Sequence, residues 1–488
     1  MNSLEYIEIF LKFEDRMKLF EKSISEVQIW NYIRDRVYNN VKMRLDNLSP
    51  VYTVSTGKKK IYFKWKNFSK YYYWNKLKKV DLLVLTHPRR IKQGDLYYCI
   101  YTDYLMKEIE KNGQYSYKVM EEPFWTNFPA SNTGHFFPVP TNNLIYTDFI
   151  QIESEIKIKI FKSVHKKELK LIEQQLLEIL YLVNNEFNVS IDDLLNNFVD
   201  ILLYVKIMRK RFKKILLKTK PKVILNFYCP SIPRLVLTEI SNIVGIPSID
   251  LQHGNVGISE PIHYKFYKNK KYICLPNYIF SFGEKFVNKQ YLPSKSVKVI
   301  PCGYPFLEIK MNEYKNSVKN NSKKNILFVS QGLLGEKMTL FASKLADYLK
   351  DNKEYQIIYK LHPFERNRQY EILQKSNITV IDGNEHEIYY YAKDSYCQVG
   401  VYSTAVYEGI QFDLPTFIID NVYGAEEAKA LLGVDESIYY VNTALECYNI
   451  ILNGMKKPSN KLKNSLWKKD SISNMITNID KIIKEGRE

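Results

Sequence analysis

The 488-residue sequence has few cysteines and no long apolar run, and these two absences exclude several classes of protein. Its six cysteines are scattered, and no two are spaced as a Cys-x-x-Cys pair, so we see neither a disulfide scaffold nor a zinc ribbon. No stretch approaches the ~18 apolar residues that a membrane-spanning helix needs. The amino terminus carries acidic residues and has no apolar signal segment, so we expect a cytoplasmic protein.

Acidic residues are also scarce relative to lysine. Lys+Arg is 71 against 53 for Asp+Glu, a net charge of 71 − 53 = +18, and most of the cations are lysine. Such a charge favours an anionic partner, such as a nucleotide, an acidic polymer or a membrane surface. Lys, Asn, Tyr and Ile are residues of AT-rich codons, however, so codon bias alone is an alternative explanation of the basic surface.

The segment 58–79 has the most unusual composition, with many lysines and aromatic residues and no acid. Polybasic segments bind anionic bilayers, and aromatic side chains anchor at the membrane interface. The same composition suits single-stranded nucleic acid, through stacking and charge. We interpret the segment as a contact for the inner face of the plasma membrane or for an acceptor, with a solvated connector as the alternative.

Alternation of apolar strands with helical segments predicts an α/β protein with parallel sheets. The clearest unit is PKVILNF, a helix ending at Gly245, and IPSIDLQHG; a second series begins at NILFVSQG. We predict two doubly wound Rossmann-like domains that face each other across a cleft. The predicted parts are a helical and basic-aromatic extension (1–79), a first domain (80–311), a linker (312–324), a second domain (325–460) and a basic C-terminal helix (461–488).

The motif YSTAVYEG in the second half predicts an anion site. In open α/β sheets, ligands bind beyond the carboxyl ends of the strands, where this motif lies. Ser403 and Thr404 would place hydroxyls and free backbone N–H groups at the start of a helix. Glu408, one turn further on, could accept hydrogen bonds from ribose hydroxyls. The alternative is that Ser403 only caps its helix.

Three histidines follow predicted strands, in the motifs THPRR, LQHGN and KLHP. His253, before a glycine, is suited to proton abstraction near neutral pH. Lys360 and His362 share one face of a strand, where the imidazole could bind a phosphate oxygen. The alternative for each histidine is a structural role in a turn or at a sheet edge.

The order of these motifs over residues 80–440 resembles that of GT-B glycosyltransferases. The HG motif ends the first half, GYP precedes the linker, and KLHP and STAVYEG follow. The resemblance is to bacterial enzymes that build capsule, teichoic-acid and lipooligosaccharide chains, including CDP-glycerol glycerophosphotransferase-like enzymes and sialyltransferases with an HP motif. It implies transfer of a sugar from a nucleotide-activated donor to a growing capsule, lipopolysaccharide or other surface glycan.

The resemblance also implies roles for individual residues. His253, in the first or acceptor domain, would be the catalytic base, and His362, Ser403 and Thr404, in the second or donor domain, would hold the donor phosphate. From their places at the strand ends and on the helix, apart from the resemblance, we expect Gln331, Gly332 and Lys360 beside that phosphate and Glu408 at the nucleotide ribose. The residues expected on the acceptor side are His87, Arg89, Arg90, Gly254 and Asn255. Such enzymes generally need neither a metal nor a cofactor, and no Asp-x-Asp motif is present, so we expect none.

Several alternatives remain at this level. A UDP-sugar 2-epimerase shares the fold, a glycerophosphotransferase shares the motif order, and an inactive homologue could act as a scaffold. A nucleic-acid-binding protein would also explain the charge, but no known nucleic-acid motif is present. The expected partners are therefore a nucleotide-sugar donor and a glycan or lipid-linked acceptor, and not a nucleic acid.

Overall fold

The structure is a computed structural model of the chain. It describes residues 3–45, 77–122, 138–257, 262–314, 323–332, 334–362, 365, 370–382 and 386–486. Most of the basic-aromatic segment, 58–76, and the middle of the predicted linker, 315–322, lie outside the described residues.

The first domain is built on a seven-stranded parallel sheet of order β5-β4-β1-β6-β7-β8-β9. Its central strands are buried along their whole length, as expected for parallel strands covered on both faces. The strands are β1 (Leu82–Leu85), β4 (Tyr117–Glu121), β5 (Leu144–Tyr146), β6 (Val223–Asn226), β7 (Ser248–Leu251), β8 (Tyr278–Ser281) and β9 (Lys298–Pro301). An antiparallel hairpin, β2 (Arg90–Gln93) with β3 (Leu96–Cys99), follows β1.

Helices cover both faces of this sheet. They are α3 (Asp103–Lys111), α4 (Asp148–Val164), α5 (Lys166–Phe187), α6 (Leu195–Thr219), α7 (Ile232–Ile243) and α8 (Pro305–Tyr314). The helical character predicted for residues 151–218 is confirmed, since α4, α5 and α6 fill most of this range. The predicted unit of strand, helix ending before Gly245, and strand is also confirmed as β6-α7-β7.

The second domain has a six-stranded parallel sheet of order β12-β11-β10-β13-β14-β15. The strands are β10 (Lys324–Val329), β11 (Tyr355–Lys360), β12 (Ile378–Ile381), β13 (Ser395–Gly400), β14 (Thr416–Ile419) and β15 (Ile438–Val441). The helices are α9 (Gly335–Leu349), α10 (Ile388–Ala392), α11 (Thr404–Gly409), α12 (Ala425–Leu432) and α13 (Ala444–Asn453). Strands β10 to β12 follow one another toward one edge and β13 to β15 toward the other, and the direction reverses where β13 pairs with β10, which is the doubly wound arrangement.

The N-terminal helices, α1 (Ser3–Arg16) and α2 (Trp30–Leu45), pack against the first domain. Their apolar residues belong to the same core as those of α5, α6 and α7. The hydroxyl of Tyr32 donates to Glu239 of α7 at 2.7 Å, which ties α2 to the domain. The helical extension is therefore part of the body of the first domain.

The C-terminal helices, α14 (Asn460–Leu466) and α15 (Ser471–Glu485), return to the first domain. The backbone N–H of Ser471 donates to Glu308 of α8 at 2.9 Å, and Gln114 donates to Asp480 at 3.0 Å. One apolar core contains residues from both sheets and from these helices. The predicted fold class, two doubly wound domains across a cleft with a helical N-terminal extension, is confirmed. None of the described helices is both long and apolar enough to cross a membrane.

Candidate active site

An open cavity of about 1030 Å³ lies between the two domains, at the carboxyl ends of their strands. Six of the residues that the sequence predicted for the site line it together: His253, Gly254, Asn255, Gln331, Ser403 and Thr404. Three come from the loop after β7 and three from loops of the second domain. Ligand pockets usually have volumes of roughly 300–1,000 Å³, so this cavity has room for a nucleotide sugar and part of an acceptor.

The loop that carries His253 is held by hydrogen bonds on both sides. The amide of buried Gln252 donates to the carbonyl of Gly254 at 2.7 Å and accepts from the N–H of Phe282 at 2.7 Å. The hydroxyl of Tyr101 donates to the carbonyl of His253 at 3.1 Å. The imidazole therefore projects from a fixed turn, and its buried Nδ1 has no hydrogen-bond partner among the described residues.

His253 lies beside a second imidazole, since its ring centroid is 5.3 Å from that of His87 and the two ring planes are inclined by 38°. Burial, together with the charges of Arg234 and His263, lowers the pKa of His253 to about 3. Burial and the neighbouring His253 also hold the pKa of His87 well below its usual value. Both rings are therefore neutral at pH 7, and His253 without a substrate is a weak proton acceptor.

The wall of the cavity in the second domain is formed in part by the ends of β10 and β13. Gln331, after β10, accepts a hydrogen bond from the backbone N–H of Tyr402 at 3.3 Å, which joins the two strand ends. Ser403 caps α11, since its Oγ accepts from the N–H of Ala405 at 3.4 Å. The capping alternative for Ser403 thus holds, and the same hydroxyl also lines the cavity.

Gly424 packs directly against Tyr402, next to Ser403 in this wall of the cavity. Its φ of 84° lies in the left-handed region that favours glycine, and a Cβ atom there would overlap the ring of Tyr402. A second close approach joins the two domains, because a Cβ atom at Gly257 would overlap the carboxylate of Glu427. The loop that follows His253 therefore lies directly against α12 of the second domain.

Arg89 and Glu408 are opposite charges from different domains. Burial raises the pKa of Glu408 to about 7, and the charge of Arg89 and a 2.7 Å hydrogen bond from Tyr389 act against that rise. Glu408 is only 3% exposed and does not line the cavity, so its predicted ribose contact stays a prediction. Arg89 is exposed to solvent, and its charge adds to burial in lowering the pKa of His362, against the opposing charge of Glu365.

Besides Glu408, six other predicted residues do not line the cavity: His87, Arg89, Arg90, Gly332, Lys360 and His362. Arg90 is 4% exposed, and its guanidinium lies 3.2 Å from Asp103 and 3.5 Å from Glu121, so it balances buried carboxylates. His362 is half-buried, and its backbone N–H donates to Glu365 at 2.9 Å. Gly332, three residues after the end of β10, and Lys360, the last residue of β11, are also half-buried. Their predicted phosphate contacts stay predictions.

The cavity also has walls that the sequence did not predict. They are formed by Tyr6, Lys42 and Leu45 of the N-terminal helices, by His263 and Tyr264, and by Asp420, Tyr423, Glu426 and Glu427 of the second domain. Lys42 and Leu45 are three positions apart on α2, which places them on the same face of the helix. This spacing is the signal in the sequence by which the pair could have been predicted to line one surface. No cluster of three or more His, Cys, Asp or Glu side chains able to hold a metal ion occurs in the described part of the chain.

Comparisons with known proteins found similar solved structures but no family. No protein-family model matches the chain, and no curated protein matches it. The UDP-GlcNAc 2-epimerase of Methanocaldococcus jannaschii is 13% identical, with a TM-score of 0.46, over 82% of this chain and 98% of that one. The Neisseria meningitidis UDP-GlcNAc 2-epimerase bound to UDP-GlcNAc is 13% identical, with a TM-score of 0.45, over 83% and 98%. AviGT4, a glycosyltransferase of avilamycin A biosynthesis, is 10% identical, with a TM-score of 0.40, over 83% and 98%.

Proposed function

We propose that the chain is a glycosyltransferase that moves a sugar from a nucleotide-activated donor to a hydroxyl group of a glycan or lipid-linked acceptor. The observation that carries the proposal is the cavity between the domains, with His253 on one side and Gln331, Ser403 and Thr404 on the other. An imidazole thus faces a cluster of hydroxyl and amide groups across a space of about 1030 Å³, large enough for two substrates.

The second domain would hold the donor. The hydroxyls of Ser403 and Thr404 at the start of α11 would bind the diphosphate, whose charge grows as the sugar leaves. These groups neutralise charge without a metal, so we expect activity to persist in EDTA. A nucleotide with a pyrimidine or purine base fits this proposal equally.

The first domain would present the acceptor. The acceptor oxygen attacks the anomeric carbon and loses its proton, and the bond from that carbon to the phosphate oxygen breaks. The electron pair of that bond leaves with the nucleotide. His253, neutral and fixed at the floor of the cleft, would hydrogen-bond a reacting hydroxyl.

A surface glycan such as capsule or lipopolysaccharide remains the proposed acceptor, on the motif resemblance alone. Contact of residues 58–79 with an anionic membrane surface belongs to the same proposal, because nine lysines without an acid would attract such a surface. If the transferred group is glycerol phosphate instead of a sugar, the donor and the acceptor would bind in the same positions.

The test is to incubate the protein with CMP-, CDP-, UDP- and GDP-activated sugars, with and without envelope glycans from the source cells. Chromatography with mass spectrometry then follows both the nucleotide and the glycan. We expect one donor to release its nucleotide only when an acceptor is present, and the glycan to gain one residue. An epimerase would instead convert a UDP-sugar to its C2 epimer without acceptor and with the nucleotide still attached, which would contradict the proposal.

A further inference from the structure

His263 places another imidazole at the cleft, in surroundings that differ from those of His253. Its Nδ1 lies 3.5 Å from Oδ1 of Asp35, and its side chain is 11% exposed and lines the cavity. The carboxylate comes from helix α2, far away in the sequence. Within the described part of the chain the Nδ1 atoms of both histidines lack a hydrogen bond, and what distinguishes His263 is the carboxylate of Asp35 beside its ring.

The carboxylate of Asp35 is itself fixed by Asn39, one helical turn further along α2. The amide of Asn39 donates to Oδ2 of Asp35 at 3.1 Å and to its backbone carbonyl at 2.9 Å. One carboxylate oxygen is therefore bound by an amide, and the other faces the imidazole. The three side chains form a chain of polar contacts, Asn39 to Asp35 to His263, that leads to the cavity.

The backbone around His263 is held by the residue next to Asp35. Arg34 donates to the carbonyl of Ile262 at 3.0 Å and to that of Lys265 at 2.9 Å, on either side of the histidine. The same guanidinium is paired with buried Glu14 through bonds of 2.7 and 2.6 Å. Consecutive residues of α2 therefore hold the turn and place a carboxylate beside the ring, which is more than an exposed ion pair does.

We propose that His263 is the proton acceptor of the transfer and that Asp35 is its positioning residue. This inference rests on the proposed glycosyltransferase function. The Asp35 carboxylate holds the ring with Nδ1 protonated, so Nε2 is the free base. The acceptor O–H gives its proton to Nε2 while its oxygen bonds to the sugar, and the imidazolium that forms is stabilised by Asp35. The proton then passes to solvent, and His253 serves as a hydrogen-bonding partner.

The charges around His263 give the proposal a pH signature. Asp35 raises the pKa of His263, while burial and the charges of Lys265 and Arg34 lower it, and the net direction is down. The ring also contacts those of Tyr228 and Tyr264, and His253 lies within electrostatic range. Loss of the Asp35 charge lowers the pKa of His263 further, so the acid limb of kcat/KM should move to lower pH while the plateau falls.

The experiment compares wild type, His263→Gln and Asp35→Asn in the acceptor-dependent transfer assay. His263→Gln should lower kcat by about 10²–10⁴, the range for one acid-base group, with nucleotide affinity changed less than about twofold. Asp35→Asn should lower kcat by about tenfold or more and move the acid limb downward, which a merely structural residue would not do. His263→Ala should recover part of its activity with added imidazole. His165→Gln, an exposed histidine between α4 and α5, is the matched control and should behave as wild type.

The outcomes separate this inference from the proposed function. Wild type without acceptor-dependent transfer would refute the proposed function. Wild type with transfer, and His263→Gln within about threefold of it, would overturn the inference. If His263→Gln fails to fold, as judged by its melting curve, the isosteric Asp35→Asn decides, and an unmoved acid limb in that variant overturns the inference.

Discussion

The ammonium group of Lys42 lies 3.3 Å from the hydroxyl of Tyr423, across the mouth of the cleft. The same ammonium lies 5.2 Å from the centroid of the Tyr423 ring, so the contact combines a hydrogen bond with a cation–π interaction. Lys42 belongs to the N-terminal helices and Tyr423 to the second domain. The N-terminal extension thus contacts both halves of the proposed enzyme.

We expect Lys42→Met to weaken closure of the cleft while keeping the apolar stem of the side chain. A net hydrogen bond contributes about 0.5–1.5 kcal/mol, so KM for the donor should rise by about two- to tenfold, with a smaller change in kcat. Steady-state kinetics checks this. Lys12→Met, on the exposed side of α1 beside Glu8, is the control. Identical kinetics for Lys42→Met and wild type would show that the contact between Lys42 and Tyr423 does not contribute to closure of the cleft.

Ser403→Ala should weaken nucleotide binding by about tenfold or more, since hydrogen bonds to charged groups contribute about 1.5–3 kcal/mol. Ser403 is also a helix cap, so the matched control is Thr443→Ala, which removes the cap of α13 outside the cavity lining. Both variants should lose about 1 kcal/mol of unfolding free energy. Only Ser403→Ala should lose affinity in isothermal titration, and equal affinities would contradict the donor site.

His253 is tested by comparing two substitutions. A neutral imidazole that only hydrogen-bonds can be replaced by an amide, so His253→Gln should keep turnover within about threefold of wild type. His253→Ala should lose about tenfold or more, with nucleotide affinity nearly unchanged. If His253→Gln instead falls by about 10²–10⁴, like the loss of an acid-base group, then His253 and not His263 takes the proton.

Glu408 should make stability depend on pH. Its pKa is raised from 4.5 to about 7 by burial, so the folded state holds the proton more tightly than the unfolded state does. The stability from this group is fully present below pH 4.5 and is lost as pH rises through 7, by about 3 kcal/mol in total. Between pH 5 and 8, wild type should lose unfolding free energy relative to Glu408→Gln in guanidinium titrations. Parallel pH profiles for the two proteins would show that the carboxyl is ionised throughout.

Much of the fold could be predicted because parallel sheets leave a strong local pattern. Buried strands such as Leu82–Leu85 and Ser248–Leu251 appear as short apolar runs followed by polar residues, and the polar residues then mark the carboxyl edge of the sheet. That pattern placed His253, Gln331 and Ser403 at the cleft correctly, although they are far apart in the sequence.

The residues that were missed depend on contacts that no local pattern records. Arg34 binds the carbonyl of Ile262 from 228 positions away, and it is this contact that brings Asp35 to His263. Arg90 differs, because the sequence predicted it on the acceptor side and the structure gives it a structural role. The hairpin that it begins turns it toward Asp103 and Glu121, and the buried carboxylates use its charge.

The most direct test of the central claim, that the cleft binds a nucleotide-activated donor through the second domain, is a thermal-shift panel of CMP, CDP, UDP and GDP. A ligand at one hundred times its Kd stabilises the native state by about 2.7 kcal/mol, which raises the melting temperature measurably. The account predicts that one nucleotide stands out with wild type and that its shift is smaller in a variant combining Ser403→Ala with Thr404→Val. No shift with any nucleotide, or the same shift in that variant, would contradict it.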